Sequence, residues 1–198
     1  MALVTTSYGI RPDTRNLLKI CFLCFRESRP IVQAMCLLRF ATGVILGATV
    51  GGPPDSPRAL GGALAWVAAA FTIYLYNGVS DITEDRRNGS NRPVARGDLS
   101  LRDAMVGTAV ASIVSLSVAV WCGGLLALLV LALLAAGYAY SSPPFLWKQH
   151  IAGVFFTGTA ITFLSLYAGY TCFAGTMVAD RQTVIMIVMF SLWTGLVG

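Results

Sequence analysis

The chain has 198 residues, of which 56% are hydrophobic and only 12% charged, and its formal net charge is +5. A soluble domain is about 25% charged, so a water-exposed globule of this composition would leave large apolar patches uncovered. Soluble, disordered and disulfide-scaffold classes are thereby excluded, and the chain reads as an all-α, polytopic membrane helix bundle.

Residues 1–30 read as an N-terminal segment and residues 31–198 as a transmembrane domain. In the segment, Arg11, Asp13, Arg15 and Lys19 come early and no small-residue cleavage site follows, so it is not a removable signal peptide. Leu17–Phe25 is apolar with charged flanks, which predicts a helix lying on the membrane surface among the lipids. Cys21 and Cys24 have the spacing of a redox or metal pair. Neither a second pair nor a nearby histidine joins them, and they read as apolar surface residues.

A hydrocarbon core about 30 Å thick takes roughly 20 apolar residues per helix. That length predicts six spans: Ile31–Val50, Ala59–Asn77, Leu101–Trp121, Leu125–Tyr140, Ile151–Phe173 and Gln182–Gly198. The fourth is short, and the sixth is still apolar at the last residue. Breakers fall between them at Gly51–Pro57, Cys122-Gly-Gly124 and Ser141-Ser-Pro-Pro144. Eleven basic residues, Arg102 at the edge of a span among them, fall on the side of the amino terminus and the second and fourth loops, against Arg58 and Arg181 on the other. The amino terminus and those loops are therefore expected in the cytoplasm. The positive charge is then mostly topological, and no nucleic-acid partner is expected.

The second loop carries the chemistry. Asn77, Asp81 and Asp85 are spaced by four, so a helix continuing past the membrane surface would project all three from one stripe. Two carboxylates and an amide oxygen make a hard-oxygen site of the kind Mg²⁺ takes, and Glu84 lies about 100° off the stripe. Arg86, Arg87, Arg92 and Arg96 follow directly, and planar guanidinium groups pair well with phosphate oxygens. Such a cradle can hold a diphosphate and neutralise the charge on a departing pyrophosphate. The same residues also fit a topology-setting loop with helix-capping carboxylates, and spacing alone leaves both readings open.

Asn77-x₃-Asp81-x₃-Asp85, then Asn91-Arg92-Pro93 and Gly97-Asp-Leu-Ser100, resembles the first signature of the UbiA superfamily of intramembrane prenyltransferases. Ser28-Arg29-Pro30 is similar to the family's entry motif, and Tyr138-Ala-Tyr-Ser-Ser-Pro-Pro-Phe-Leu-Trp-Lys148 to the segment after its fourth helix. The resemblance implies nine helices around a cavity in which two aspartate motifs bind Mg²⁺ and the diphosphate of an isoprenoid donor. It implies Asn77, Asp81 and Asp85 as metal ligands, with Asp81 and Asp85 catalytic, Arg92 and Lys148 as diphosphate contacts, and Tyr140 as a cavity-lining group. The implied reaction passes an isoprenoid group from a prenyl diphosphate to a lipophilic, often aromatic acceptor, and a bacterial cell membrane is the expected location. Tyr74 and Tyr76 could stabilise a carbocation through their π faces or serve as interfacial belt aromatics.

Two departures stand out. Many members carry Asn-Asp where this chain has Asn77-Gly78, which leaves the four-residue spacing intact. The family's second aspartate motif follows its sixth helix, and beyond Asp103 the only acidic residue here is Asp180, expected on the opposite membrane face. The expectation is a recognisable donor site with little or no activity in these 198 residues alone. Arg39, inside the first span, either reaches the diphosphate or pairs with further helices. His150 reads as solvated, and Gly43, Gly47, Gly61, Gly62 and Gly107 as helix-packing positions. A terpene cyclase on the same fold is the alternative enzyme. A CDP-alcohol phosphotransferase lacks its upstream pattern here, and a transporter would place its acidic residues at mid-membrane.

Overall fold

The computed structural model describes residues 14–50, 56–174 and 179–197, and those residues contain helices and no strand. The amphipathic α1 (Thr14–Glu27) buries Leu23, Cys24 and Glu27 on one face and exposes Leu18, Phe22 and Phe25 on the other. It ends at Ser28 and Arg29, whose φ of 55° turns the chain before α2 (Pro30–Val50). Proline is suited to open that helix because its missing N–H has no intrahelical acceptor there. Gln33 of α2 donates back to Ser28 O (3.2 Å) and to the Ser28 hydroxyl, which fixes the angle between the two helices.

The next predicted span is α3 (Ser56–Ser80), which runs three residues beyond its predicted end. The predicted loop after it is largely helical: α4 (Ile82–Arg87) and α5 (Pro93–Arg96) lie between α3 and α6 (Leu101–Cys122). Ser100 caps α6 by accepting from the Asp103 amide (3.1 Å), which satisfies one of the free N–H groups of its first turn. α7 (Gly124–Ser141) begins one residue after α6 ends, so the Cys122-Gly-Gly124 breaker is a single hinge residue rather than a loop. That residue, Gly123, sits at φ 142°, a region side chains avoid, and Arg58 Nε donates to the Cys122 carbonyl at the end of α6 (2.6 Å). A 3₁₀ turn (Trp147–Gln149) leads into α8 (Ile151–Ala174), and α9 (Arg181–Val197) follows. Asp180 accepts from the Gln182 and Thr183 amides (2.9 and 3.0 Å) and so serves as the cap of α9.

Five of these helices, α2, α3, α6, α7 and α8, are long and apolar enough to cross a membrane, while α9 is apolar but only 17 residues long. The bundle is an all-α integral membrane protein built around α3, whose Ala65, Trp66, Ala69 and Ala70 are fully buried. Small residues allow close backbone approach where lipid gives no hydrophobic drive between helices. Ser115 of α6 donates to Ala65 O (2.9 Å), and Trp66 donates through Nε1 to Ser165 of α8 (3.1 Å). Gly43 of α2 and Gly169 of α8 pack reciprocally against each other's helix backbone. Large apolar side chains such as Ile45, Ile113, Val120, Leu128 and Phe156 point outward, as a lipid-facing surface requires.

Candidate functional site

A cavity of about 400 Å³ opens between α2, α3, α7, α8 and α9. Asn77, Asp81, Tyr140, Lys148 and Arg39 all line it, together with Arg29 and Tyr74. Ile73 and Asn77 of α3, and Asp81 just past its end, line it at four-residue steps, about one per helical turn. The helical hydrogen-bond pattern crosses the end of α3, because the Asp81 amide donates to Asn77 O (2.9 Å) and the Asp85 amide to Asp81 O (2.8 Å). The motif thus keeps its helical rise although Asp81 itself sits between α3 and α4.

Each polar group at the cavity has a defined setting. Asn77 is buried, and its side-chain Nδ2 donates to Ser141 Oγ (3.2 Å). The amide oxygen, an acceptor only, is left for another donor or a cation. Lys148 reaches across from the turn before α8 to pair with Asp81, and more loosely with Glu84 at 3.5 Å. Burial pulls the Lys148 ammonium down, but the hydrogen bond and charge of Asp81, with Glu84 behind it, outweigh that and hold it above the ordinary lysine value. Arg39 lies ten residues along α2 from Arg29, about 15 Å by helical rise. Among the described residues no carboxylate forms an ion pair with it. With Arg29, Arg39 and Lys148 against Asp81, the lining carries a positive excess suited to an anionic ligand.

Asp85 and Arg92 are placed elsewhere. Neither lines the cavity; Arg92 Nη1 meets Asp85 Oδ2 at 3.1 Å, and Arg92 Nε lies 2.7 Å from Glu27 Oε1. Arg92 Nη2 also donates to the carbonyls of Glu27 (3.1 Å) and Tyr74 (3.3 Å). Glu27 is fully buried, and its second oxygen accepts from the Val94 amide at the start of α5 (2.9 Å). Gly78 makes this pair possible: a Cβ there would run into the Glu27 carboxylate and the Arg92 guanidinium, 2.9 Å from its Cζ. The Asn77-Gly78 departure therefore has a structural reason. The tyrosines also part, since residues two apart on a helix face different ways. Tyr74 lines the cavity, while Tyr76 stacks on Tyr138 with ring centres 6.0 Å apart and meets Ser142 on the other side.

Sequence reasoning missed Glu27 and the cavity role of Arg29. Glu27 is the only acidic residue of α1 and α2, which was the available signal; Arg29 stood inside a noted motif and was read as topological charge. His150 is exposed in the turn, as expected of a solvated histidine. Cys21 is exposed and Cys24 buried, both as free thiols. Burial pushes the Cys24 thiol up to about 11, the reverse of what a redox or metal-binding thiolate needs.

For a divalent cation the side chains offered are the amide oxygen of Asn77 and the carboxylates of Asp81 and Asp85. Among the described residues no three His, Cys, Asp or Glu side chains converge as a metal cluster. An oxygen-only set with two carboxylates nevertheless fits Mg²⁺, which completes its shell with phosphate oxygens and water instead of an all-protein cage.

Comparison with known proteins agrees with this architecture. Among solved structures the chain is similar to a UbiA homolog from Archaeoglobus fulgidus bound to DMAPP and Mg²⁺, with 23% identity and a TM-score of 0.73 over 85% of this chain and 60% of that one. The homolog bound to GPP and Mg²⁺ gives the same values, and its Cd²⁺-bound form gives 22% identity and a TM-score of 0.69 over 85% and 59%. The chain thus spans about 60% of the length of these structures, and at this identity the likeness establishes the fold. No curated protein sequence matches. The model of the UbiA prenyltransferase family matches residues 37–198, and the chain belongs to that family.

Proposed function

We propose that the chain binds a prenyl diphosphate in the bundle cavity and, with Mg²⁺, takes part in transferring its isoprenoid group to a lipophilic aromatic acceptor. The carrying observation is the cavity itself, in which Arg29, Lys148, Asn77 and Asp81 meet above apolar walls that include Val32, Met35, Ile73 and Ile161. A diphosphate with a hydrocarbon tail has that division of polarity. The Archaeoglobus homolog is described as binding DMAPP or GPP with Mg²⁺, ligands of this kind. Family membership gives the reaction class its prior.

On this reading Lys148 and Arg29 donate to the diphosphate oxygens and hold them at the polar end. Mg²⁺ held by Asn77, Asp81 and Asp85 would supply positive charge against the leaving diphosphate. Asp81 already holds Lys148 in place, so the ammonium is ordered before the diphosphate arrives. Tyr74 and Tyr140 offer π faces to positive charge on the isoprenoid, and Arg39 adds a third cationic side chain farther along the cavity. The apolar walls exclude water, which favours capture of that charge by an acceptor over hydrolysis. The basic end, with the amino terminus, faces the cytoplasm by its excess of arginine and lysine.

The test uses the full chain in lipid nanodiscs. Radiolabelled geranyl diphosphate is expected to bind in a Mg²⁺-dependent way, and Asp81→Asn and Lys148→Met are expected to weaken it. Binding unaffected by chelator and by both substitutions refutes the assignment. Cyclised hydrocarbon formed without acceptor would replace the transferase reading with a cyclase.

A further inference from the structure

Arg92 is shared between two carboxylates of different standing. Glu27, fully buried at the end of α1, sets its Oε1 2.7 Å from Nε as an ion-pair contact, and the Glu27 carbonyl accepts from Nη2 at 3.1 Å. Asp85, a partly buried member of the aspartate motif, accepts from Nη1 at 3.1 Å. The second oxygen of Glu27 is fixed by the Val94 amide, and the Tyr74 carbonyl also holds Nη2, so the guanidinium is tied on three sides before it reaches Asp85. A buried guanidinium cannot lose its proton and must find negative charge. Without Glu27 the nearest carboxylate to supply that charge is Asp85.

We propose that Glu27 is a positioning residue for the aspartate segment: it neutralises and anchors Arg92, so that Asp85 keeps its own charge for a divalent cation. This rests on Asp85 being a metal ligand, as in the proposed function. Arg92 is then a brace between α1, α3 and α5 that lies against Asp85 without entering the cavity, and Glu27 keeps its charge from being drawn onto Asp85. The arrangement also joins the surface helix α1 to the metal motif through a single pair of side chains.

The sign of two substitutions distinguishes this role from simple support of the fold. Glu27→Gln leaves Arg92 charged with Asp85 as its remaining anion, so a cation must compete with the guanidinium. Arg92→Gln frees Asp85. A purely structural pair predicts that both changes, which break the same contact, weaken cation binding together. Mn²⁺ alone is titrated against the full chain in nanodiscs and followed by electron paramagnetic resonance, with no turnover required. Glu27→Gln is expected to raise the half-saturating Mn²⁺ concentration at least about fivefold. Arg92→Gln is expected to leave it unchanged or lower it, and adding Glu27→Gln to Arg92→Gln to change nothing further. Weaker binding in Arg92→Gln, an unmoved midpoint in Glu27→Gln, or a further loss in the double variant each overturns the inference. If Glu27→Gln does not fold, Arg92→Gln and the double variant still decide it by the same criteria. Asp85→Asn separates the two levels: a shifted midpoint there with none in Glu27→Gln sinks only the role of Glu27. An unshifted midpoint in Asp85→Asn sinks the metal-ligand reading and this inference together.

Discussion

The contact between α2 and α8 makes a quantitative prediction. A Cβ on Gly43 would lie against the Leu166 carbonyl oxygen, 2.8 Å from Leu166 C and 2.9 Å from Tyr170 N. One on Gly169 would meet the Phe40 carbonyl oxygen, 2.9 Å from Phe40 C and 2.9 Å from Val44 N. These neighbours are helix backbone and cannot rotate away. Contact distances between carbon atoms start near 3.5 Å, so the helices must part by at least about 0.5 Å. Overpacking of this kind costs about 1–3 kcal/mol, or a fall of roughly 3–10 °C in melting temperature for a chain of this size. Thermal unfolding of Gly43→Ala and Gly169→Ala in detergent, followed by tryptophan fluorescence, measures it; Trp66 stacks on Phe40 beside the contact, with ring centres 6.1 Å apart. The double variant is expected to lose less than the two single losses combined, because the helices are already separated. Gly124→Ala is the control, since nothing lies within 4 Å of its Cβ position. It should melt at or above the parent temperature, helped by the better helix propensity of alanine. Equal melting temperatures for the parent and Gly43→Ala would refute the packing argument.

Four further outcomes are expected. Gly78→Asp, which restores the Asn-Asp form of the motif, should destabilise the chain by about 1–3 kcal/mol, because its side chain enters the space of Arg92 and Glu27; a retained melting temperature contradicts this. Lys148→Met should weaken binding of geranyl diphosphate by about 10- to 100-fold, the effect of losing one charged hydrogen bond, and an unchanged dissociation constant rules Lys148 out as a contact. Its raised folded-state value also fixes a sign: the stability that the Lys148 ion pair contributes is fully present below the unfolded lysine value of about 10.4 and is lost as pH rises through the higher folded value. The stability gap between parent and Lys148→Met, roughly 0–1 kcal/mol for a partly exposed pair, should therefore hold from pH 7 to about 10 and close only above that, as denaturation across pH would show. Finally, maleimide at neutral pH should label Cys21, which is exposed, and spare the buried Cys24, whose thiol is pushed up to about 11; both lie in the one tryptic peptide Ile20–Arg26, so its fragmentation in the mass spectrometer locates the label, and a label on Cys24 contradicts the burial argument.

Much of the fold was legible in the sequence because its causes are local. Apolar runs of membrane-spanning length predicted where α2, α3, α6, α7, α8 and α9 form, and Pro30 and Gly123 mark ends that follow from their own backbone chemistry. The four-residue spacing of Asn77, Asp81 and Asp85 predicted a helical run past the end of the span, and the hydrogen bonds from Asp81 to Asn77 and from Asp85 to Asp81 continue it, while only Asn77 and Asp81 line the cavity. Composition likewise identified a membrane protein, since so few charges cannot cover a soluble surface.

Tertiary structure decided which charged groups share a space. Asn77, Asp81, Tyr140, Lys148 and Arg39 come from α2, α3, α7 and the turn before α8, and only their packing brings them to one cavity. The spacing that aligned Asp85 with Asp81 could not reveal that Asp85 would meet Arg92, or that Arg92 would be claimed by Glu27, 65 residues away. Helical period determines the direction in which a side chain leaves its own helix. What it meets there depends on another helix, and for buried charges that partner determines whether the charge is available to a ligand or bound within the fold.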